Sequence, residues 1–330
     1  MKKRLLIGLL LVCICVTMIP SCAQKKDRSH SYFLMDTVIT VTLFETDDKA
    51  AEEVFARCHA ILSELEHLWA RQKPDSDVAR FNASSNGAIA IDARTHALIE
   101  KAIAVYQATN GSFDITVAPL VDLWKLAGDA NKLPTDTEFA EALSLVGSNR
   151  LCFENGLLCK QDAAVAIDLG GIGKGAAIEY LIDYLEGCDL QGGLVSFGSN
   201  VAVFGEKKDG SPFKIGIQDP KNPNGTVATV YLQSGEILSV SGDYERYVTV
   251  EGRNYHHILA PSTGYPAESG LSSVAVIARD GALADALSTA LFVMGTERAM
   301  AFYASHTYAF EAILVGNDSS VIKTAGLASA

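Results

Sequence analysis

The stretch Ala163–Glu179, AAVAIDLGGIGKGAAIE, holds an acid and a base at a spacing that suits anion chemistry. Asp168 lies near the end of an apolar run, Ala164–Leu169, that reads as a buried strand. Gly170, Gly171, Gly173 and Gly175 form a hinge, and a helix opens near Lys174. A glycine turn lets a ligand approach the backbone closely, and a helix N-terminus favours negative charge. The stretch therefore predicts an anion or phosphate site with one acid and one base in reach. It is not a P-loop, because Asp168 and Gly175 fill the places of the first glycine and of the Ser or Thr after the lysine. Nor is it the strict dinucleotide fingerprint Gly-x-Gly-x-x-Gly, because Ala176 fills the third glycine place. A glycine-rich strand-to-helix turn without a ligand accounts for these residues equally well on their own.

A second constellation lies in ALADALSTALFVM, which reads as a helix over Ala282–Met294 ended by Gly295. Asp285 and Thr289 are one helical turn apart and share a face. A carboxylate and a hydroxyl, joined by backbone carbonyls, make a hard-oxygen set suited to Mg²⁺. The competing reading is local: an Asp in a first turn favours the helix dipole, and a Thr bonds back to its own helix. In SFDIT, Asp114 and Thr116 alternate with apolar neighbours, a pattern that commonly caps the following turn.

The elements that must position these residues can be read from periodicity. Tyr32–Glu45 reads as one strand, with Met35-Asp36-Thr37 near its start. Asp48–Ala70 carries apolar residues at helical spacing and is followed by the polar loop RQKPDSD, Arg71–Asp77. Thr95–Asn110 reads as a helix capped by Thr95 and stopped by Gly111. Another begins at the capping box Thr135-x-x-Glu138. From Gly192 to Val250 the chain is β-rich, and Tyr244–Val250 pairs with Tyr255–Leu259 around a turn. Ser273–Ala278 is a further strand, a helix begins at Thr296, and Tyr308–Val315 reads as the final strand. Cys152 and Cys159 flank an Asn155-Gly156 turn and can face each other, although isolated buried thiols are the simpler expectation.

The N-terminus reads as a leader. Lys2, Lys3 and Arg4 precede the apolar Leu5–Met18, which is short for a membrane span and has signal-peptide flanks. Ile19-Pro20-Ser21-Cys22 resembles a lipobox, so cleavage before Cys22, lipid on its sulfur and a polar tether over residues 22–31 are expected. That places the domain, residues 32–330, on the extracytoplasmic, periplasmic side, anchored to the inner or outer membrane. The net charge of −12 and the lack of a basic patch argue against nucleic acid as a partner.

Five stretches in order, MDT, FDITVAPLVDLW, IDLGGIGKG, YHHILAPSTGYP and ADALSTALFVMG, resemble the ApbE family of FAD:protein FMN transferases, also called flavin-trafficking lipoproteins. The resemblance implies an α+β fold of two interlocked subdomains with FAD bound between them. It implies Mg²⁺-dependent cleavage of the FAD diphosphate and transfer of FMN to a Thr hydroxyl of an acceptor protein, with release of AMP. Acceptors would carry an Asp/Ser-Gly-Ala/Ser-Thr type motif in an electron-transport subunit. Carried onto this chain, Met35, Ser112, Phe113, Asp114, Asp168, Lys174, Ile258 and Leu259 would bind FAD. Mg²⁺ would take the Gly171 carbonyl, Asp285 and Thr289, and His257 would be the base for the acceptor hydroxyl. If the segment is a strand, His256 and His257 point to opposite sides. Gln72 stands where relatives commonly carry an aromatic that stacks on the flavin, Ala260 where they have Asp, and Ser288 where some have a second metal-side carboxylate. Two alternatives share the pocket: an FAD diphosphatase giving FMN and AMP, and a flavin-binding lipoprotein without chemistry.

Overall fold

The computed structural model describes residues 25–85 and 88–327; the predicted leader and Cys22 lie outside them. In chain order the strands are β1 Lys26–Leu34, β2 Thr37–Thr46, β3 Ala88–Ile89, β4 Leu151–Glu154, β5 Leu157–Lys160, β6 Gly192–Phe197, β7 Asn200–Gly205, β8 Phe213–Asp219, β9 Asn222–Leu232, β10 Ile237–Gly242, β11 Tyr247–Val250, β12 Arg253–His256, β13 Leu271–Ala278, β14 Glu311–Gly316 and β15 Val321–Lys323. The helices are α1 Asp48–Trp69, α2 Asp77–Ala83, α3 Ala93–Ala108, α4 Ala118–Ala130, α5 Asp136–Ser144, α6 Gly173–Glu186 and α7 Gly281–Ala304.

Eight strands form one sheet in the order β1-β2-β6-β7-β10-β13-β14-β15, and every neighbouring pair is antiparallel. Strand β13 shows why both faces are covered. All eight of its residues are buried. Val274, Val276 and Ala278 point into the main core beneath α1, α3, α6 and α7. Ala275 and Ile277 point the other way, against the β8–β9 hairpin. Fully burying one such Val or Ile contributes about 1.5–3 kcal/mol. An antiparallel sheet with helices gathered mainly on one face is an α+β architecture, as expected.

A smaller unit stands beside this body. Leu120 and Trp124 of α4, Phe139 of α5 and Leu259 share their own core, and Trp124 Nε1 donates to Gly264 O at 2.8 Å. The β11–β12 hairpin packs on α4.

Several local expectations hold. The Thr135/Glu138 capping box is present, and Gly295, at φ 73° and ψ 171°, interrupts α7. Others are corrected. Tyr32–Glu45 is not one strand: Met35 and Asp36 both take positive φ and turn β1 back on β2. Neither is Gly or Asn, so the usual hairpin signal is missing. β1 runs into the stretch predicted as a tether and pairs Lys26 with Thr46. Helix α3 starts at Ala93 under the cap of Asp92; Thr95 lies in its first turn and gives its hydroxyl to Asp77 at 2.6 Å. β11 begins at Tyr247 and β12 ends at His256, so Tyr244–Arg246 and His257–Leu259 are loop. β15 follows the strand expected to be last. Ala164–Leu169 is not a strand. Val165, Ile167 and Leu169 are buried in alternation, yet among the described residues no strand pairs with the segment. Instead, Asn82 bonds Ile167 at both N and O, and Lys160 Nζ bonds Val165 O at 3.0 Å.

Candidate active site

The segment so pinned delivers Asp168 to the seam between the two units. Asp168 N donates to Ile115 O at 2.7 Å. The Asp168 carboxylate accepts from Gly170 N at 2.7 Å and from Arg71 Nη1 at 3.0 Å. Arg71 also reaches Asp122 at 2.5 Å, which ties the α1–α2 loop to α4. Lys174, in the first turn of α6, bonds Gly170 O at 3.0 Å.

Two adjoining cavities, of about 370 and 510 Å³, flank this loop. Val121, Asp168, Gly170, Lys174 and Arg246 line both. The smaller one also takes Ser112, Phe113, Asp114, Gly171, His257, Ile258, Leu259, Asp285 and Thr289 in its wall. The larger one takes Met35 and Gln72. All thirteen ligand and base residues expected from the sequence, Gln72 among the FAD-binding ones, therefore line one of two adjoining spaces, drawn from both structural units.

Asp285 is 4 % exposed and already has partners. Its Oδ2 accepts from Gly175 N at 2.9 Å, and its Oδ1 from Asn200 Nδ2 at 3.2 Å and Ser239 Oγ at 3.0 Å. It thus caps α6 from α7, so the positive charge left to face the cavity comes mainly from Lys174 and Arg246. This contact needs Gly175: a Cβ there would lie 2.0 Å from Gly281 O. Thr289 Oγ1 sits 3.2 Å from Ser241 Oγ, and a Cβ on Gly171 would lie 3.8 Å from it. Ser288 is fully buried, and its hydroxyl bonds Asp285 O and Ser241 rather than the cavity. Among the described residues no three of His, Cys, Asp and Glu are grouped as a metal site. The set that fits a hard cation is Asp285 with two uncharged oxygens, the Thr289 hydroxyl and the Gly171 carbonyl. Three donors on Asp285 leave part of its lone-pair capacity free, which suits an ion that keeps several waters.

His257 opens toward the smaller cavity. Its Nδ1 lies 3.1 Å from Arg246 O, and a carbonyl can only accept, so Nδ1 carries the proton and Nε2 keeps a lone pair. Surrounding protein, aided by the charges of Lys174 and Arg246, holds its pKa down to about 4, against the Arg246 carbonyl bond. His256 turns away, its ring edge-on to Phe292 with centroids 5.7 Å apart. Asp114 touches the cavity wall, but its carboxylate accepts from Thr116 N and Oγ1 and from Ser148 N and Oγ. The carboxylate thus caps the following turn and ties it to Ser148.

Sequence reasoning missed Arg71, Asn200, Ser239, Ser241, Glu245 and Arg246. Glu245 lines the smaller cavity, where burial raises its pKa against the Ser199 bond and the Lys174 charge. Arg246 Nη2 bonds Asp36 O at 3.1 Å and so holds the β1–β2 turn against the site. The adjacent charges Glu245-Arg246, inside a run taken for a strand, were the available signal.

The arrangement can hold an elongated ligand with an anionic middle and move a proton beside it. The chain belongs to the ApbE family, whose sequence profile matches residues 35–314. It is 32% identical over 244 residues to the FAD:protein FMN transferase of Vibrio cholerae serotype O1, 73% of each chain being covered. Among solved structures it is similar to the ApbE protein of Thermotoga maritima, with a TM-score of 0.82, 31% identity and coverage of 91% of this chain and 98% of that one. The flavinyl transferase ApbE of Pseudomonas stutzeri, in its apo form, gives 0.79 at 30% identity, covering 92% and 96%.

Proposed function

We propose that the protein is a Mg²⁺-dependent FAD:protein FMN transferase that moves FMN from FAD to a Thr hydroxyl of an acceptor protein and releases AMP. The observation that carries this reading is the junction of two cavities at Lys174, with His257 and Asp285 beside it. FAD consists of two ring systems joined by a diphosphate. Each cavity takes one ring system, and the shared wall takes the charge. The names of the relatives support the same substrate.

In this mechanism neutral His257 accepts the acceptor hydroxyl's proton on Nε2, and the Arg246 carbonyl fixes the ring through Nδ1–H. The threonine oxygen bonds to the FMN phosphorus, the bridging P–O bond breaks, and AMP leaves. Lys174 and Arg246 offset charge gathering on the phosphoryl oxygens. Asp285, Thr289 and the Gly171 carbonyl would hold Mg²⁺, whose chemistry is neutralisation of the diphosphate and of the leaving group. The lipid on Cys22 and an extracytoplasmic acceptor, an electron-transport subunit, belong to the same proposal.

The test uses the protein from Lys25 onward with FAD, Mg²⁺ and a fragment bearing the acceptor motif. A fluorescent acceptor band that survives denaturation, with matching AMP, is the expected result. AMP without label would replace the transferase with a diphosphatase. FAD bound with neither product would leave a flavin carrier and remove the roles of His257 and Asp285.

A further inference from the structure

The hairpin β4–β5 carries two thiols that the transfer chemistry does not use. Cys152 and Cys159 are direct partners in its register, and both are free. Asn155 and Gly156 form the two-residue turn, with φ of 50° and 78°, so Glu154 and Leu157 close the hairpin. Two-residue hairpins begin with a hydrogen-bonded pair, and pairs alternate, which makes Cys152 and Cys159 a hydrogen-bonded pair. Such pairs have Cα atoms about 5.5 Å apart, inside the range a disulfide spans.

The side chains also share a face. Leu158 and Lys160 point inward, Lys160 toward Phe81, Asn82 and Val165. Cys152 and Cys159 lie on the opposite face, with Cys152 partly exposed. On the other flank of Cys159, which is itself buried, stands Ala88 of β3.

We infer that Cys152 and Cys159 are a thiol pair that closes into a disulfide by exchange with a small-molecule or protein disulfide. The Cys152 thiolate attacks one sulfur of the reagent disulfide, and one reagent thiolate leaves and takes up a proton. The Cys159 thiolate then attacks Cys152 sulfur, and the second reagent thiolate leaves. Two protein thiols are oxidised and one reagent disulfide is reduced to two thiols. The bond would staple β5 one residue before Lys160, the residue that anchors the chain leading to Asp168. Burial, then the neighbouring thiol, raises the pKa of Cys152, so closure runs faster as pH rises toward that value.

Oxidised glutathione is the probe. The purified protein is treated with it, remaining thiols are alkylated, and the chain is cut with trypsin. Arg150 and Lys160 release both cysteines in one peptide, Leu151–Lys160. The expected peptide escapes alkylation and is lighter by two hydrogens, and the yield at fixed time increases between neutral and mildly alkaline pH. In the Cys159→Ser variant the glutathione stays on Cys152. A wild-type peptide that keeps glutathione on Cys152, or that is alkylated at both cysteines, overturns the inference.

Discussion

Replacing Asp285 by Ala should cost stability as well as turnover, and the two losses should separate. The carboxylate is almost wholly buried and accepts three hydrogen bonds. Removing it strands Gly175 N–H and Asn200 Nδ2–H, while the Ser239 hydroxyl keeps Asn200 Oδ1 at 2.8 Å. A stranded buried donor costs about 1–3 kcal/mol, so two predict about 2–6 kcal/mol. Loss of the α6 cap and a small void push the value into the upper half, about 4–6 kcal/mol. That is a large share of a typical stability of about 5–15 kcal/mol. Urea unfolding in the presence of a chelator isolates this part, because these bonds need no cation. The midpoint should fall with an unchanged slope. Asp285→Asn should recover some stability, since its carbonyl still accepts one bond, yet restore no Mg²⁺-dependent turnover. An Asp285→Ala protein that unfolds at the wild-type urea concentration would refute the capping argument. One that turns over normally would refute the metal assignment.

Three further outcomes test other parts of the site. His257 has a folded pKa near 4 against an ordinary value of 6.5, so the unfolded chain binds the extra proton. Its contribution to stability is therefore complete above pH 6.5 and is lost as pH falls from 6.5 toward 4; kcat/KM should stay level down to about pH 5, and a free-enzyme base titrating at 6.5 or above would contradict the assignment. Lys160→Met removes the donor that Asn82 O and Val165 O accept from, while Phe81 O keeps Ser84 N at 3.1 Å, and should destabilise by about 2–4 kcal/mol, read by thermal unfolding. Gly175→Ala puts a Cβ 2.0 Å from Gly281 O and should cost about 3 kcal/mol or more together with activity, whereas Gly171→Ala comes no nearer than 3.2 Å, to the Phe113 ring, and should fold; equal melting of the two variants would refute the close-approach argument.

Much of the site was legible because its motifs act locally. The glycine hinge announces a chain reversal, and α6 does open at Gly173, beside Lys174. The Asp285–Thr289 spacing places both on the cavity wall. The adjacent histidines turn to different sides, His257 to the cavity and His256 to Phe292, even though His257 lies just past the end of β12. What escaped detection was brought from far along the chain. Arg71 meets Asp168 across 97 positions, and Asn200 meets Asp285 across 85. No spacing rule links such residues. The segment before Asp168 misled for a related reason: alternating burial looks the same whether an extended chain is held by strands or by Asn82 and Lys160.

The sequence by itself determined the α+β class, the boundaries set by caps and glycines, and the family, because these depend on covalent neighbours and on the order of short motifs. Only the tertiary structure decided that Asp285 caps α6 while facing the cavity, that Asp114 ties its own turn to Ser148, and that the Ser288 hydroxyl bonds Asp285 O and Ser241 rather than the cavity. It also decided that Glu245 and Arg246 complete the wall. A carboxylate's or hydroxyl's role is set by the donors and solvent around it, and folding brings those together from distant parts of the chain.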